Sequence, residues 1–135
     1  MKINFWCEGD ISTVRVVSRF LDDMADDVSC EVRVMAALDW QVLHSGVNVF
    51  CRVCHPDYAW VPSFLSENSI PYIYYLDDNF WCIQGQSELA AFYRSAEVVS
   101  VLDAFVRGSA LIITHTPLFL ILFESGSLRF VVSLS

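Results

Sequence analysis

The run Ile70-Pro71-Tyr72-Ile73-Tyr74-Tyr75-Leu76 stops at Asp77-Asp78-Asn79-Phe80-Trp81, and that junction constrains the fold more than any other stretch. β-Branched and aromatic residues crowded into so short a segment read as a buried strand. Two carboxylates, an amide and an indole follow at once. In open α/β sheets ligands bind just past the carboxyl ends of the strands, so the segment reads as a core strand delivering polar and aromatic groups to a cleft rim. The competing reading is a strand closed by a turn, because Asp and Asn bond their own backbone there. Adjacent side chains at a strand end point to opposite sides, so Asp77 and Asp78 do not chelate one hard cation without a turn. Hydrogen bonding to hydroxyls suits them better, with Phe80 and Trp81 packing on a ring face or the core.

The rest of the chain alternates strands with helices. Met1–Trp6 reads as a first strand, followed by a loop at Cys7-Glu8-Gly9-Asp10. Asp10 or Ser12 then caps a helix with Val14, Val17, Phe20, Leu21 and Met24 on one side. The acids Asp22, Asp23, Asp26 and Asp27 near its end read as a solvated turn, since the helix dipole disfavours negative charge there. Cys30–Met35 alternates as a half-buried strand does, and Val47–Val53 is a more uniformly apolar one. His55-Pro56-Asp57 opens a helix through Leu65, closed near Asn68. Gln86–Ala96 and Val98–Arg107 read as helical and end at Gly108-Ser109. Leu111–Thr114 is a core strand, Pro117 can start a helix, and Leu128–Leu134 is a last strand. With little room for hairpins, this order predicts an α/β, Rossmann-like, doubly wound and mainly parallel sheet with helices on both faces.

The 135 residues suit one domain with a real core, and no internal repeat or linker interrupts them. The chain stops after Ser133-Leu134-Ser135, as a half-protein would. Sixteen acids against eight bases give a net charge of −8, which disfavours nucleic acid and anionic lipid as partners. Seven of the eight cations are Arg, the side chain suited to bidentate contacts, so single arginines become informative. The start shows no secretory pattern, and the apolar stretch Ala110 to Phe123, broken by His115 and Pro117, falls short of the roughly 20 residues of a spanning helix. No transmembrane segment is expected. Five cysteines without a signal favour reduced thiols and a cytoplasmic address, with peripheral attachment to an inner membrane compatible with it.

Cys51-Arg52-Val53-Cys54-His55 fits the haem-attachment pattern, but haem attachment needs export, and the motif continues a strand instead of opening a helix. A redox pair belongs where a strand turns into a helix, and a structural zinc needs about four ligands. Buried, inert cysteines explain the motif better, and no metal or cofactor is expected. Gly9 lies in the first strand-to-helix loop, where backbone approaches a phosphate, although Glu8-Gly9-Asp10-Ile11-Ser12 lacks a dinucleotide fingerprint and a tight turn accounts for it. Arg52 emerges from a core strand and needs a structural carboxylate or an anionic ligand. His115 and Thr116 hold the equivalent place past Leu111–Thr114. Polar groups at several strand ends describe a shared cleft.

Taken together, Ile70 to Trp81 resembles a segment in the N-terminal halves of bacterial GT-B glycosyltransferases, above all those of surface polysaccharide synthesis. Val49-Phe50-Cys51-Arg52, Ser12-Thr13-Val14-Arg15-Val16 and Leu111-Ile112-Ile113-Thr114-His115-Thr116-Pro117-Leu118 extend the likeness over most of Met1 to Leu118. The aspartate-rich segment is the distinctive part; the others are generic to doubly wound folds. The resemblance implies a domain that holds the sugar acceptor, with the nucleotide-sugar donor bound mainly by a second Rossmann-like domain. Gly9 would then lie near the donor phosphates or the acceptor, and Arg52, Asp77, Asp78, His115 and Thr116 would line the acceptor side. It names no catalytic base. The family's paired-glutamate donor segment is missing and Phe119 to Ser135 fits poorly, so the resemblance implies a truncated half, inactive alone, needing a C-terminal donor-domain partner or a homo-oligomer. The alternative is a non-catalytic interaction module, because a short, strongly apolar chain exposes patches that mark interfaces. A third reading is a small redox or metal protein using Cys51, Cys54 and His55.

Overall fold

The computed structural model describes residues 1–9, 27–76 and 85–114, and the backbone of 130–133. The helix expected after Asp10 or Ser12, the acidic run Asp22 to Asp26, Asp77 to Trp81, Cys82, and His115 to Pro117 lie outside the described residues. The elements run β1 (Lys2–Cys7), β2 (Ser29–Val34), a 3-10 turn (Met35–Ala37), α1 (Trp40–Leu43), β3 (Val47–Cys51), a 3-10 turn (Pro56–Tyr58), α2 (Val61–Glu67), β4 (Tyr72–Leu76), α3 (Glu88–Arg94), α4 (Ala96–Gly108), β5 (Leu111–Thr114) and β6 (Phe130–Ser133). Six strands form one sheet in the order β2-β1-β3-β4-β5-β6, and every pair is parallel. This is the α/β, Rossmann-like arrangement that the alternation predicts. From β1 the chain moves to one side through β2, then crosses back to the other through β3. The crevice between the carboxyl ends of β1 and β3 is therefore the topological switch point.

Period-2 alternation divides the strand residues between two apolar layers. Trp6, Phe50, Tyr72, Tyr74, Leu76 and Ile112 face one layer, and Ile3, Phe5, Cys7, Val49, Cys51, Tyr75 and Ile113 the other. Both layers are buried, which is why the inner strands read as near-continuous apolar runs. The described helices contribute to the first layer. In α4 the buried residues Val98, Val101, Leu102, Phe105 and Val106 follow the 3–4 spacing of one helix face. Burying such side chains contributes about 2 kcal/mol each, which outweighs helix propensity. Ser87 caps α3 and Ser95 caps α4 by accepting the Ala90 and Val98 N–H groups.

The helix expected from His55 to Leu65 is split into the 3-10 turn and α2. The His55 imidazole caps the turn, and Pro62 sits in the first turn of α2, where its missing N–H costs nothing. Neither the 3-10 turn nor α1 was signalled between Met35 and Leu43, because both are too short to show a period. Among the described residues β2 is one edge of the sheet, and four of its six residues are exposed, more than the half-buried strand expected.

A buried polar pair ties the two central strands to the chain before β3. Asn4 and Asn48 are register neighbours. Asn4 Nδ2 donates to the Val42 carbonyl (2.9 Å) and Ser45 Oγ (3.2 Å), while its Oδ1 accepts from Arg33 Nε (3.0 Å). Asn48 Nδ2 donates to the Leu43 carbonyl (2.8 Å) and its Oδ1 accepts from the Trp6 indole (3.0 Å). Buried amides are stable only when satisfied in this way.

Candidate functional site

Four strands stop within one residue of one another. Cys51 pairs with Cys7 on one side and Tyr75 on the other, and Leu76 pairs with Thr114. The residues that follow β1 and β3 therefore meet at the switch point. Glu8 leaves the end of β1, and its Oε1 accepts the backbone N–H groups of Cys54 and His55, each at 2.7 Å. A carboxylate on two convergent N–H groups is a charge-assisted contact and fixes the loop after β3 against β1.

Arg52 opens that loop in the left-handed region, with φ 57°, while its N–H donates to the Tyr75 carbonyl (3.1 Å). The left-handed kink ends the β3 pairing two residues earlier than the expected Val53. Arg52 is half-buried and shares a side-chain hydrogen bond with Tyr93 of α3. Burial raises the Tyr93 phenol; the Arg52 guanidinium and that hydrogen bond pull it back, and Cys54 and Glu8 push it up again. Tyr93, Arg52, Glu8 and Cys54 thus act electrostatically on one another, although no local pattern connects them in the sequence.

Beneath the loop, the Tyr74 hydroxyl donates to the Val53 carbonyl (2.6 Å). Its pKa lies well above the ordinary phenol value, first through burial and then through the neighbouring Cys54 and Glu8. His55 Nδ1 accepts the Asp57 backbone N–H at 3.1 Å, which puts the proton of the neutral ring on Nε2. The Asp57 carboxylate, 3.5 Å from the same Nδ1, is then a neighbour and not a hydrogen-bond acceptor. The His55 ring packs between Tyr58 (6.1 Å) and Phe92 (5.8 Å).

The Cys-x-x-Cys pair is buried, at 4% exposure for Cys51 and 1% for Cys54. Burial, then Glu8, pushes the Cys54 thiol up to about 12, against a smaller opposing effect of Arg52. A thiol held protonated is a poor nucleophile at neutral pH. Among the described residues no three His, Cys, Asp or Glu side chains group as a metal site.

Of the six residues expected to bind substrate, Gly9 and Arg52 are described, and both follow strands that end at the switch point. Gly9 is exposed, and a Cβ there would meet nothing within 4 Å, so neither packing nor a close backbone approach requires glycine. Asp77, Asp78, His115 and Thr116 lie outside the described residues; the strands that precede them, β4 and β5, end in register at this same edge. Glu8 and Tyr93 were missed. A lone Glu in a loop and a Tyr within a helix carry no signal until the fold unites them.

No family model matches this chain. No curated protein and no solved structure matches it either. A concavity of about 290 Å³ lies at the opposite edge, between Leu43, His44, Gly46, Ile70, Pro71 and Ala110. It adjoins the amino ends of β3, β4 and β5, away from the edge where such sheets bind ligands. No helix of the described residues is long and apolar enough to cross a membrane.

Proposed function

We propose that this chain is the acceptor-binding half of a GT-B-type glycosyltransferase of surface polysaccharide synthesis, acting with a second domain that binds the nucleotide-sugar donor. The polar cluster at the switch point carries the reading: Glu8, Arg52 and Tyr93 gather past the ends of β1 and β3, and Glu8 holds the backbone of His55 beside them. A carboxylate, a guanidinium, an imidazole N–H and a phenol match the mixed donor and acceptor pattern of sugar hydroxyls. Glu8 already occupies the two backbone N–H groups that an anion would seek, which favours a neutral acceptor over donor phosphates at this spot. The carbohydrate assignment itself rests on the resemblance of Ile70 to Trp81.

Saturation-transfer NMR with simple glycosides and with nucleotide sugars tests the proposal. Glycosides are expected to bind at millimolar concentration, and Arg52→Ala, Asp77→Ala and Asp78→Ala to weaken them, with no turnover by this chain alone. Absence of any glycoside signal would remove the proposal.

A second reading, a non-catalytic interaction module, is favoured by β2. This edge strand leaves Val32 and Val34 each 48% exposed, and an unpaired strand edge accepts a partner strand. Glu31 opposes such pairing: it takes Arg33 at 2.5 Å and Lys2 at 3.7 Å and keeps charge on that edge.

A further inference from the structure

Along the outside of α1 and α2 runs a row of rings that the edge site does not use. Trp60 and Phe64 are four residues apart, with ring centroids 5.5 Å apart. Trp40 of α1 comes alongside at 5.4 Å from Phe64, and the His44 ring lies 4.3 Å from that of Trp40. Both indole planes stand steeply to the phenyl ring, at 77° and 79°. Trp60 is 52% and Trp40 47% exposed, so about half of each indole remains in water. Two elements converge to build the row, which one amphipathic helix would not explain.

We propose that this row is a track for a neutral oligosaccharide, extending the acceptor site away from the switch point. The acceptor role rests on the function proposed above; the track itself rests on the rings. The spacing from one ring to the next is comparable to the length of a pyranose unit, whose C–H faces pack on aromatic rings. Exposed Gln41, Ser63, Glu67 and Asn68 lie among or beside these residues and supply hydrogen-bonding groups for hydroxyls. Charge disfavours the other ring-binding partners. No Lys or Arg occurs between Arg33 and Arg52, or between Arg52 and Arg94, so α1 and α2 offer nucleic acid and anionic lipid the acids Asp39 and Glu67 and no cation of their own. The polar side chains also interrupt the apolar area that a second copy of the chain would need. Position completes the argument: Trp60 follows the Tyr58 ring by two residues, and Tyr58 packs on His55 at the edge site.

The test is titration calorimetry on the full chain with neutral α- and β-linked glucose, mannose and galactose hexasaccharides, each against its monosaccharide. At least one hexasaccharide should bind about tenfold tighter than its monosaccharide. Trp40→Ala and Trp60→Ala should each remove most of that gain, while Trp60→Phe, which keeps a ring, should retain part of it. Arg52→Ala should weaken the two lengths by the same factor. A hexasaccharide that binds through the tryptophans while monosaccharides fail would support the track and remove the edge site. The proposal is overturned if no member of the panel gains affinity with length, or if the gain survives in Trp40→Ala/Trp60→Ala. Trp60-dependent dimerisation or vesicle binding without a length gain would overturn it equally.

Discussion

Glu8 and His55 stand 47 residues apart in the chain, yet the Glu8 carboxylate accepts the His55 backbone N–H at 2.7 Å across the gap between β1 and β3. The same oxygen takes the Cys54 N–H, so one side chain sets the conformation of the loop that carries Arg52 and His55. The recognition proposed for this edge would benefit from that loop being held before ligand arrives, because ordering it on binding would cost affinity.

Glu8→Ala should therefore cost about 1–2 kcal/mol of unfolding free energy, since two N–H groups lose a charged acceptor at a partly exposed position. Glu8→Gln keeps a carbonyl oxygen and should cost less than half as much. Urea denaturation monitored by circular dichroism gives both values.

Asn48→Ala should be more damaging. It leaves the Trp6 indole N–H and the Leu43 carbonyl without their partner in the core, a loss of about 3 kcal/mol. The same denaturation measurement, together with a red shift of Trp6 fluorescence before the main transition, reports it.

What could be read from the residues follows a physical division. β4 and β5 were legible because a strand buried on both faces needs unbroken apolar residues, and α4 because its five buried residues keep helical spacing. The parallel sheet followed from alternation of element types. The 3-10 turns and α1 were not legible, being shorter than the period that would reveal them. Within the site, Arg52 stood out as a charge at the end of an apolar strand. Glu8 and Tyr93 did not, because their partners lie dozens of residues away and only the folded chain brings them together.

Gly46→Ala should destabilise the fold by about 1–3 kcal/mol. A Cβ at Gly46 would overlap the Lys2 backbone carbonyl, a rigid obstacle at the start of the central β1–β3 pair. The position calls for closeness of two backbones. Thermal unfolding of the variant, compared with Gly9→Ala, checks this; the latter should be near neutral, since its Cβ meets nothing.

Alkaline pH should unfold the chain through its buried acids. Cys54 is raised in the native state from its ordinary 9.0 to about 12, so between these values the unfolded chain loses a proton that the native chain keeps. Stability must then fall as pH rises through that window, and Tyr74, also raised, adds to the fall at higher pH. Cys54→Ala should flatten the first part of the decline. Iodoacetamide at pH 8 should leave Cys51 and Cys54 unmodified until denaturant is added, and rapid native labelling of Cys54 would contradict the buried thiol.

The most direct test of the edge site is amide chemical-shift mapping of the isotope-labelled full chain during titration with a simple glycoside. The account predicts that the largest shifts gather at Gly9, Arg52, Cys54, His55 and Tyr93, and that Arg52→Ala reduces them. Shifts centred instead on Gly46, Ile70 and Ala110 at the opposite edge, or none at saturating glycoside, would contradict it.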